Sequence, residues 1–399
     1  MRVLKTLAQT TILGCAVSMI PAAAFAGGWS TEGIADYDLM FADGKFVVES
    51  GATYANRNVD FKNAETTQTG VPTDKTNSRA DDIAPDISVF SGAVKIGLLE
   101  NLDLFARINQ PYIIREQPGF DWNGRFAIGE TNADSLGVDA MLSYKHELSK
   151  GNYVRVFGGL RSVTVDYEQL SKTLTPVPSE LDTEISVDSE RAYGYRIGAA
   201  FEKPEIALRA MVAYESAIDL ELDGALTIQG TSFDAAAKAS LPQSVEAKIQ
   251  TGIAPKWLAS LGVKWTDWSV LDRISVDVAS PGGPIPTKVE RGLGYTDGWT
   301  VEAGIGHQLT DKLSLGSSVT WDKGISGPYS DTYSLSLGGS YDLADNVKFT
   351  LGGRAIYKTA GEGTYEISKF GDAPSSVTTE YEYDASWNFA VSSKIRVAF

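Results

Sequence analysis

Trp387-Asn-Phe-Ala-Val-Ser-Ser-Lys-Ile-Arg-Val-Ala-Phe399 places Trp387, Phe389, Val391, Ile395, Val397 and Phe399 on one face, and Asn388, Ser392, Lys394 and Arg396 on the other. Alternation with a period of two belongs to a β-strand, because successive side chains of an extended backbone point to opposite sides. A strand with one continuous apolar face and one polar face suits the wall of a closed sheet with lipid outside and a polar interior. The terminal aromatic, Phe399, fits the closing strand of an outer-membrane barrel.

The same dyad recurs upstream. Ile206, Leu208, Ala210, Val212 and Tyr214 alternate with Ala207, Arg209, Met211 and Glu215; Trp257, Ala259, Leu261, Val263 and Trp265 alternate with Ser260, Gly262, Lys264 and Thr266. Read along the chain, the pattern predicts fourteen strands, at 46–60, 84–99, 102–116, 136–148, 152–167, 188–202, 205–222, 240–254, 257–272, 294–308, 312–325, 329–343, 346–359 and 382–399. Each reaches the roughly 10 residues that a tilted strand needs to cross a bilayer. Tight connections fall at Glu100-Asn101, Ser149-Lys150-Gly151, Lys203-Pro204, Pro255-Lys256, Leu309-Thr310-Asp311 and Ala344-Asp345. Between them lie long polar connections at about 61–83, 117–135, 168–187, 223–239, 273–293 and 360–381, with a shorter one at Ser326-Gly327-Pro328. Short periplasmic turns alternating with long outer loops are the expected asymmetry of such barrels, and an even strand count returns both termini to the periplasm.

The beginning of the chain agrees. Arg2 and Lys5 precede an apolar run from Leu13 to Ile20, and Ala24-Phe25-Ala26 has the small-x-small form of a signal-peptidase site, so residues 1–26 are read as a signal peptide. A lipoprotein cut at Cys15 leaves almost no apolar region before it. Removing residues 1–26 deletes two cations and no acid, which takes the formal charge from −16 to −18. An acidic chain offers no basic patch for phosphates, so a nucleic-acid partner is excluded. The single cysteine, Cys15, lies in the signal, and the exported chain carries neither a disulfide nor a catalytic thiolate.

A secreted β-sandwich alternates too, but its outer faces are polar. Here the apolar faces are bordered near strand ends by Tyr144, Tyr153, Tyr193, Trp257, Trp265, Tyr341 and Tyr357, as expected of interfacial girdles. The opposite faces carry Arg107, Arg155, Arg161, Arg196, Arg209, Glu215, Glu246, Lys248, Lys264, Glu302, Arg354, Lys394 and Arg396, which predicts a lumen with internal ion pairs.

Three stretches carry a resemblance. Leu241-Pro-Gln-Ser-Val-Glu, Thr251-Gly-Ile-Ala-Pro255 and Val263-Lys-Trp-Thr-Asp-Trp-Ser269 resemble the FadL-type long-chain fatty-acid transporters of the outer membrane. Asp297-Gly-Trp-Thr-Val-Glu-Ala-Gly-Ile-Gly306 and Asp331-Thr-Tyr-Ser-Leu-Ser-Leu-Gly-Gly339 fit the strands that follow, and the likeness is strongest from about Ile206 to Tyr357. The resemblance implies an all-β fold, a 14-stranded antiparallel transmembrane β-barrel with a short N-terminal hatch: hatch 27–45, barrel 46–399. It implies passive uptake of an amphipathic ligand and its sideways release through a gap where the third strand kinks. Asn109, Gln110 and Pro111 are the gate candidates, since proline cannot donate a ladder hydrogen bond; a strand that simply ends at Pro111 explains the same residues. Trp29 stands where family members tend to place a phenylalanine in the ligand site, and Asp36-Tyr-Asp-Leu-Met-Phe41 matches what remains of a plug. Trp29 and Phe41 are therefore the hatch candidates. The family's Asn-Pro-Ala signature is absent.

Catalysis finds little support, because the exported chain has only His146 and His307, both near predicted periplasmic turns, and a hydrolase needs a nucleophile with its base close by. No carboxylate series has calcium-loop spacing, so neither a metal nor another cofactor is expected. A ligand groove is expected in the loop containing Phe120, Trp122 and Phe126, with Arg115 or Arg125 to hold a carboxylate; packing of these aromatics against the barrel rim is the competing reading. The expected partners are a fatty acid or similar hydrophobic small molecule, and outer-membrane lipid with lipopolysaccharide. A monomer is expected. An aromatic-hydrocarbon transporter of the same family, a general diffusion porin and a structural or adhesive role are the alternatives.

Overall fold

The computed structural model describes residues 28–68, 77–174, 180–282, 285–370 and 375–399. The expected signal peptide and Gly27 lie outside them. Among the described residues, fourteen strands form the membrane wall: β1 Phe46–Asn56, β2 Ile87–Leu99, β3 Leu102–Asn109, β4 Glu130–Ser149, β5 Asn152–Leu174, β6 Ala192–Lys203, β7 Leu208–Glu215, β8 Ser244–Ala254, β9 Trp257–Thr266, β10 Gly298–Gln308, β11 Leu313–Asp322, β12 Thr332–Ala344, β13 Val347–Lys358 and β14 Ser386–Ala398. Each pairs antiparallel with its neighbours, and β14 closes the circle on β1 from Val47↔Ala398 to Asn56↔Phe389. Closure leaves no open edge and satisfies the backbone in lipid. The tight turns use the left-handed conformations they need, at Gly151 (φ +81°) and Lys256 (φ +66°).

Alternation sorts the wall into two faces. On β4, Leu136, Val138, Leu142 and Tyr144 are exposed, whereas Asp139, Met141 and Ser143 are buried. The exposed set belongs to a barrel-wide band of apolar side chains, among them Leu160, Ile197, Leu261, Leu337 and Val391. So large an apolar surface is stable only against lipid.

The residues from Gly28 to Ala42 run inside the lumen and pack on its inward faces. Tyr37 and Phe41 meet Phe157, and Leu39 and Met40 are buried with Phe105 and Met141. Above them, Glu32, Asp139 and Glu215 interleave with Arg107, Arg161 and Arg196. The distances are 2.6 Å for Arg107–Glu32, 2.6 Å for Arg107–Asp139, 2.6 Å for Arg161–Glu215 and 3.2 Å for Arg196–Asp139. Charges so far from water are tolerable because each has a geometrically close opposite partner.

The expected long loops are corrected by the structure: most are β-hairpins. Starting from the upper end of β5, the segments Glu180–Ser189, Ile218–Ile228, Thr231–Leu241, Arg273–Val278, Lys288–Gly292, Gly361–Phe370, Ser375–Tyr383 and Phe61–Gln68 pair each with the next. Backbone bonds from Ile83 N to Val59 O (2.8 Å) and Gln117 N to Ile83 O (2.7 Å) complete the circuit to Ile113–Glu116. The result is a second ring standing on the membrane barrel. Its alternation is inverted: Ile218, Leu220 and Leu222 are buried inside, and Asp219, Glu221 and Asp223 face water. On β4 the outward residues change from Leu136 to Asp134, Asn132 and Glu130 within one turn of the dyad, which marks where lipid gives way to solvent. This handover also explains why the strands expected at 205–222 and 240–254 divide at Ser216-Ala217 and Pro242-Gln243: each end joins a different ring.

Candidate functional site

An apolar cavity of about 70 Å3 lies inside the second ring, and Trp29 forms part of its wall with Tyr112, Ile114, Val187, Leu222, Leu241, Val276, Val289 and Ile367. The Trp29 ring packs edge-on against Trp268 and Tyr295, at centroid distances of 6.1 and 5.8 Å, and its Nε1 donates to the Tyr295 hydroxyl at 3.1 Å. Gly28 makes this approach possible. Its φ is +71°, and a Cβ there would lie 2.7 Å from Ile325 Cδ1 and 2.9 Å from the Trp268 ring.

Most of the lining is aliphatic, and one charged side chain interrupts it. Arg291, from Lys288–Gly292, donates through Nη1 to the Tyr167 hydroxyl at 2.6 Å and to Gln169 Oε1 at 2.7 Å. Its Nε is buried with no hydrogen-bond partner among the described residues. Burial works against this charge, but the facing Tyr167 and the Glu116 carboxylate outweigh it, and the guanidinium is held above its usual pKa. An apolar cavity with a guanidinium in its wall suits an acyl or aryl body with an anionic end.

The residues after Trp29 cross directly to the break in the third wall strand. Ile113 N donates to Trp29 O at 2.9 Å, and Thr31 N donates to Pro111 O at 2.9 Å. Thr31 Oγ1 donates to Gln110 O at 2.5 Å. β3 stops at Asn109, and the chain resumes ladder pairing with β4 only at Ile113. On the other flank, the β2–β3 ladder ends at Gly92↔Ile108. Above it, the amide of Phe90 is answered by a side chain, Gln110 Oε1, at 3.1 Å. Proline's missing donor and, among the described residues, the lack of a strand partner for the upper part of β2 on this side leave the wall thin here. Asn109 Nδ2 donates to Glu32 Oε1 at 2.9 Å, so the ion cluster also grips the lip of the break.

The remaining sequence candidates are placed elsewhere. Phe41 sits below, with the Arg209 guanidinium 3.9 Å from its ring centre. Arg115 is bound to both oxygens of Asp134 at 2.6 Å, and Arg125 to Glu180 at 2.7 Å. Trp122 and Phe126 are buried in the core of the second ring, where Trp122 packs 5.6 Å from Phe61, while Phe120 is exposed beside Lys172. None of these six lines the cavity. About half of the residues that do line it, among them Ile185, Val187, Val276, Val289 and Arg291, come from segments expected to be loops, and the alternating row Thr183, Ile185, Val187 was the signal available in the sequence.

Residues 6–387 match the family described as "Outer membrane protein transport protein (OMPP1/FadL/TodX)". The chain belongs to the FadL/TodX family. Solved structures with the same fold include a Pseudomonas aeruginosa FadL homologue, at 14% identity over 96% of this chain and 98% of that one with a TM-score of 0.72. The Ralstonia pickettii toluene transporter TbuX follows at 13% identity over 96% and 98% with a TM-score of 0.63. The P. putida toluene transporter TodX gives 11%, 95% and 98%, with a TM-score of 0.60. No curated protein matches the chain. The family consists of outer-membrane transport barrels, and the fourteen-strand barrel expected from the sequence is the observed fold, with the even strand number setting both termini on one side.

Proposed function

We propose that this FadL/TodX-family barrel takes up long-chain fatty acids, or amphiphiles of the same carboxylate-headed kind, by passive diffusion, and releases them sideways into the outer membrane. The observation that carries this reading is Arg291 in the wall of an otherwise apolar cavity. An acyl tail gains roughly 0.8 kcal/mol per methylene on leaving water, and a charged hydrogen bond to a carboxylate adds about 1.5–3 kcal/mol. Residues 1–26 act as the export signal, 27–45 as the hatch and 46–399 as the transporting barrel, with both termini periplasmic. Trp29 is the plug residue in the ligand cavity, and the lip at Asn109, Gln110 and Pro111 is the exit. Outer-leaflet lipid and lipopolysaccharide surround the barrel.

A monoaromatic hydrocarbon is the second reading, favoured by the edge-on aromatic end formed by Trp29, Trp268 and Tyr295. A general porin fits poorly, since the lumen is occupied by Gly28–Ala42 and its ion cluster. Calorimetric titration of the detergent-solubilised protein with oleate and with toluene separates the readings. Arg291→Met is expected to weaken oleate about 10- to 100-fold and to leave toluene unchanged. Undiminished oleate affinity in that variant would overturn the carboxylate reading.

A further inference from the structure

We infer that the barrel holds a second binding site, for a small oxyanion of the carboxylate or phosphate class, between Arg57 and Lys358. It goes beyond the cavity beside Trp29 and does not depend on what that cavity binds. Arg57 follows β1 and Lys358 ends β13, and both contribute to an inward cavity of about 50 Å3 near the outer edge of the membrane wall. A volume of that size holds several water-sized groups, enough for an oxyanion head.

Charge and unspent hydrogen bonds decide the ligand. Among the described residues neither cation has a carboxylate partner: Arg57 Nη1 donates to the Arg115 carbonyl at 3.3 Å, and Lys358 Nζ donates to Ser330 Oγ at 3.0 Å and lies 3.6 Å from the centre of the Tyr383 ring. The one acid in the lining, Glu116, has its two oxygens engaged by the hydroxyls of Tyr329 (3.1 Å) and Tyr365 (2.9 Å). Thr332 adds a buried hydroxyl with no partner among the described residues. Elsewhere in the same wall inward cations are paired with acids, Lys394 with Glu49 at 2.8 Å and Arg107 with Glu32 at 2.6 Å among them. Two cations against one carboxylate, neither in contact with it, leave a net positive charge in a confined, partly apolar space and favour an anion from outside. Arg57 presents a planar fork and Lys358 a point charge, a combination that suits a trigonal or tetrahedral oxyanion.

The test is calorimetric titration of the full-length mature barrel in nonionic detergent with inorganic phosphate and with octyl phosphate. Wild type is expected to bind octyl phosphate at this site, with Arg57→Gln combined with Lys358→Gln lowering the affinity at least tenfold. Thr332→Val, which removes no charge, is expected to lower it severalfold, so the inference remains testable if the double variant fails to assemble. Arg291→Met is expected to leave this binding in place, which separates it from the fatty-acid reading. Binding of octyl phosphate alone assigns the site to an amphiphile's head; comparable binding of inorganic phosphate assigns it to the oxyanion itself. Absence of binding by wild type, or equal affinity in wild type and all of these Arg57, Lys358 and Thr332 variants, overturns the inference.

Discussion

Glu32 and Arg107 meet at 2.6 Å, and that contact joins the luminal N-terminal segment to the strand that breaks two residues beyond Arg107's neighbour Ile108. Glu32 also faces Arg161 at 3.4 Å and accepts from Asn109 at 2.9 Å. Neutralising it leaves buried guanidinium groups short of a partner, a change that typically costs about 3–5 kcal/mol. Glu32→Gln is therefore expected to loosen residues 28–34 while the wall stays closed. Limited proteolysis should then cut the N-terminal segment faster, and planar-bilayer conductance should rise; unchanged values of both would show that the cluster does not hold the segment.

Gly28 provides a backbone test of the same attachment. An alanine there meets Ile325 and Trp268 at less than 3 Å and must also adopt a φ of +71°. Gly28→Ala is expected to displace the Trp29 ring from Tyr295 and shift Trp29 fluorescence to the red. A spectrum identical to wild type would show that the segment absorbs the methyl group without moving.

The membrane barrel was legible in the sequence because its lipid face is continuous. Leu335, Leu337 and their partners repeat at a period of two with polar residues between, and tight turns such as Ser149-Lys150-Gly151 punctuate them. The second ring carries equally regular alternation, for example Thr183-Glu184-Ile185-Ser186-Val187, but its polar side chains point outward to water, so most of these segments looked like polar loops in average composition. Arg291 was hidden for that reason: nothing local distinguishes an inward arginine on a short strand from a solvent-facing one. Arg115 or Arg125 was expected to hold the carboxylate of a ligand; in the structure each is paired with an acid of the chain itself, Asp134 and Glu180.

Lys369 links the second ring to pH. Its amine is buried against Thr173 on the opposite wall, and burial pushes it down to about 8 from an ordinary 10.5. Below about pH 8 both folded and unfolded chains carry the proton, and the cost of the buried charge is fully present. Between about 8 and 10.5 the unfolded chain holds the extra proton, so stability should rise with pH through that window. Lys369→Met is expected to raise the unfolding temperature at pH 7.5 and to flatten the rise toward pH 10.5. Parallel curves for the two proteins would remove Lys369 from the account.

The size of the apolar cavity gives the last prediction. A benzene ring occupies an engineered cavity of about 150 Å3, whereas the space beside Trp29 is about 70 Å3. An aryl or acyl ligand therefore enters only when part of the wall gives way. Trp29 is the lightly held part, with one neutral hydrogen bond and two edge-on ring contacts, together worth about 2–3 kcal/mol. Its backbone carbonyl and the neighbouring Thr31 are bonded across the strand break, so displacement of the ring also pulls on the lip at Gln110 and Pro111. Trp29→Ala removes the cost of displacement while leaving those backbone bonds available. It is expected to tighten toluene or oleate binding about tenfold by calorimetry and to speed entry into reconstituted vesicles. Weaker binding in Trp29→Ala would mean that the indole is a contact of the bound ligand, and that another part of the cavity wall moves.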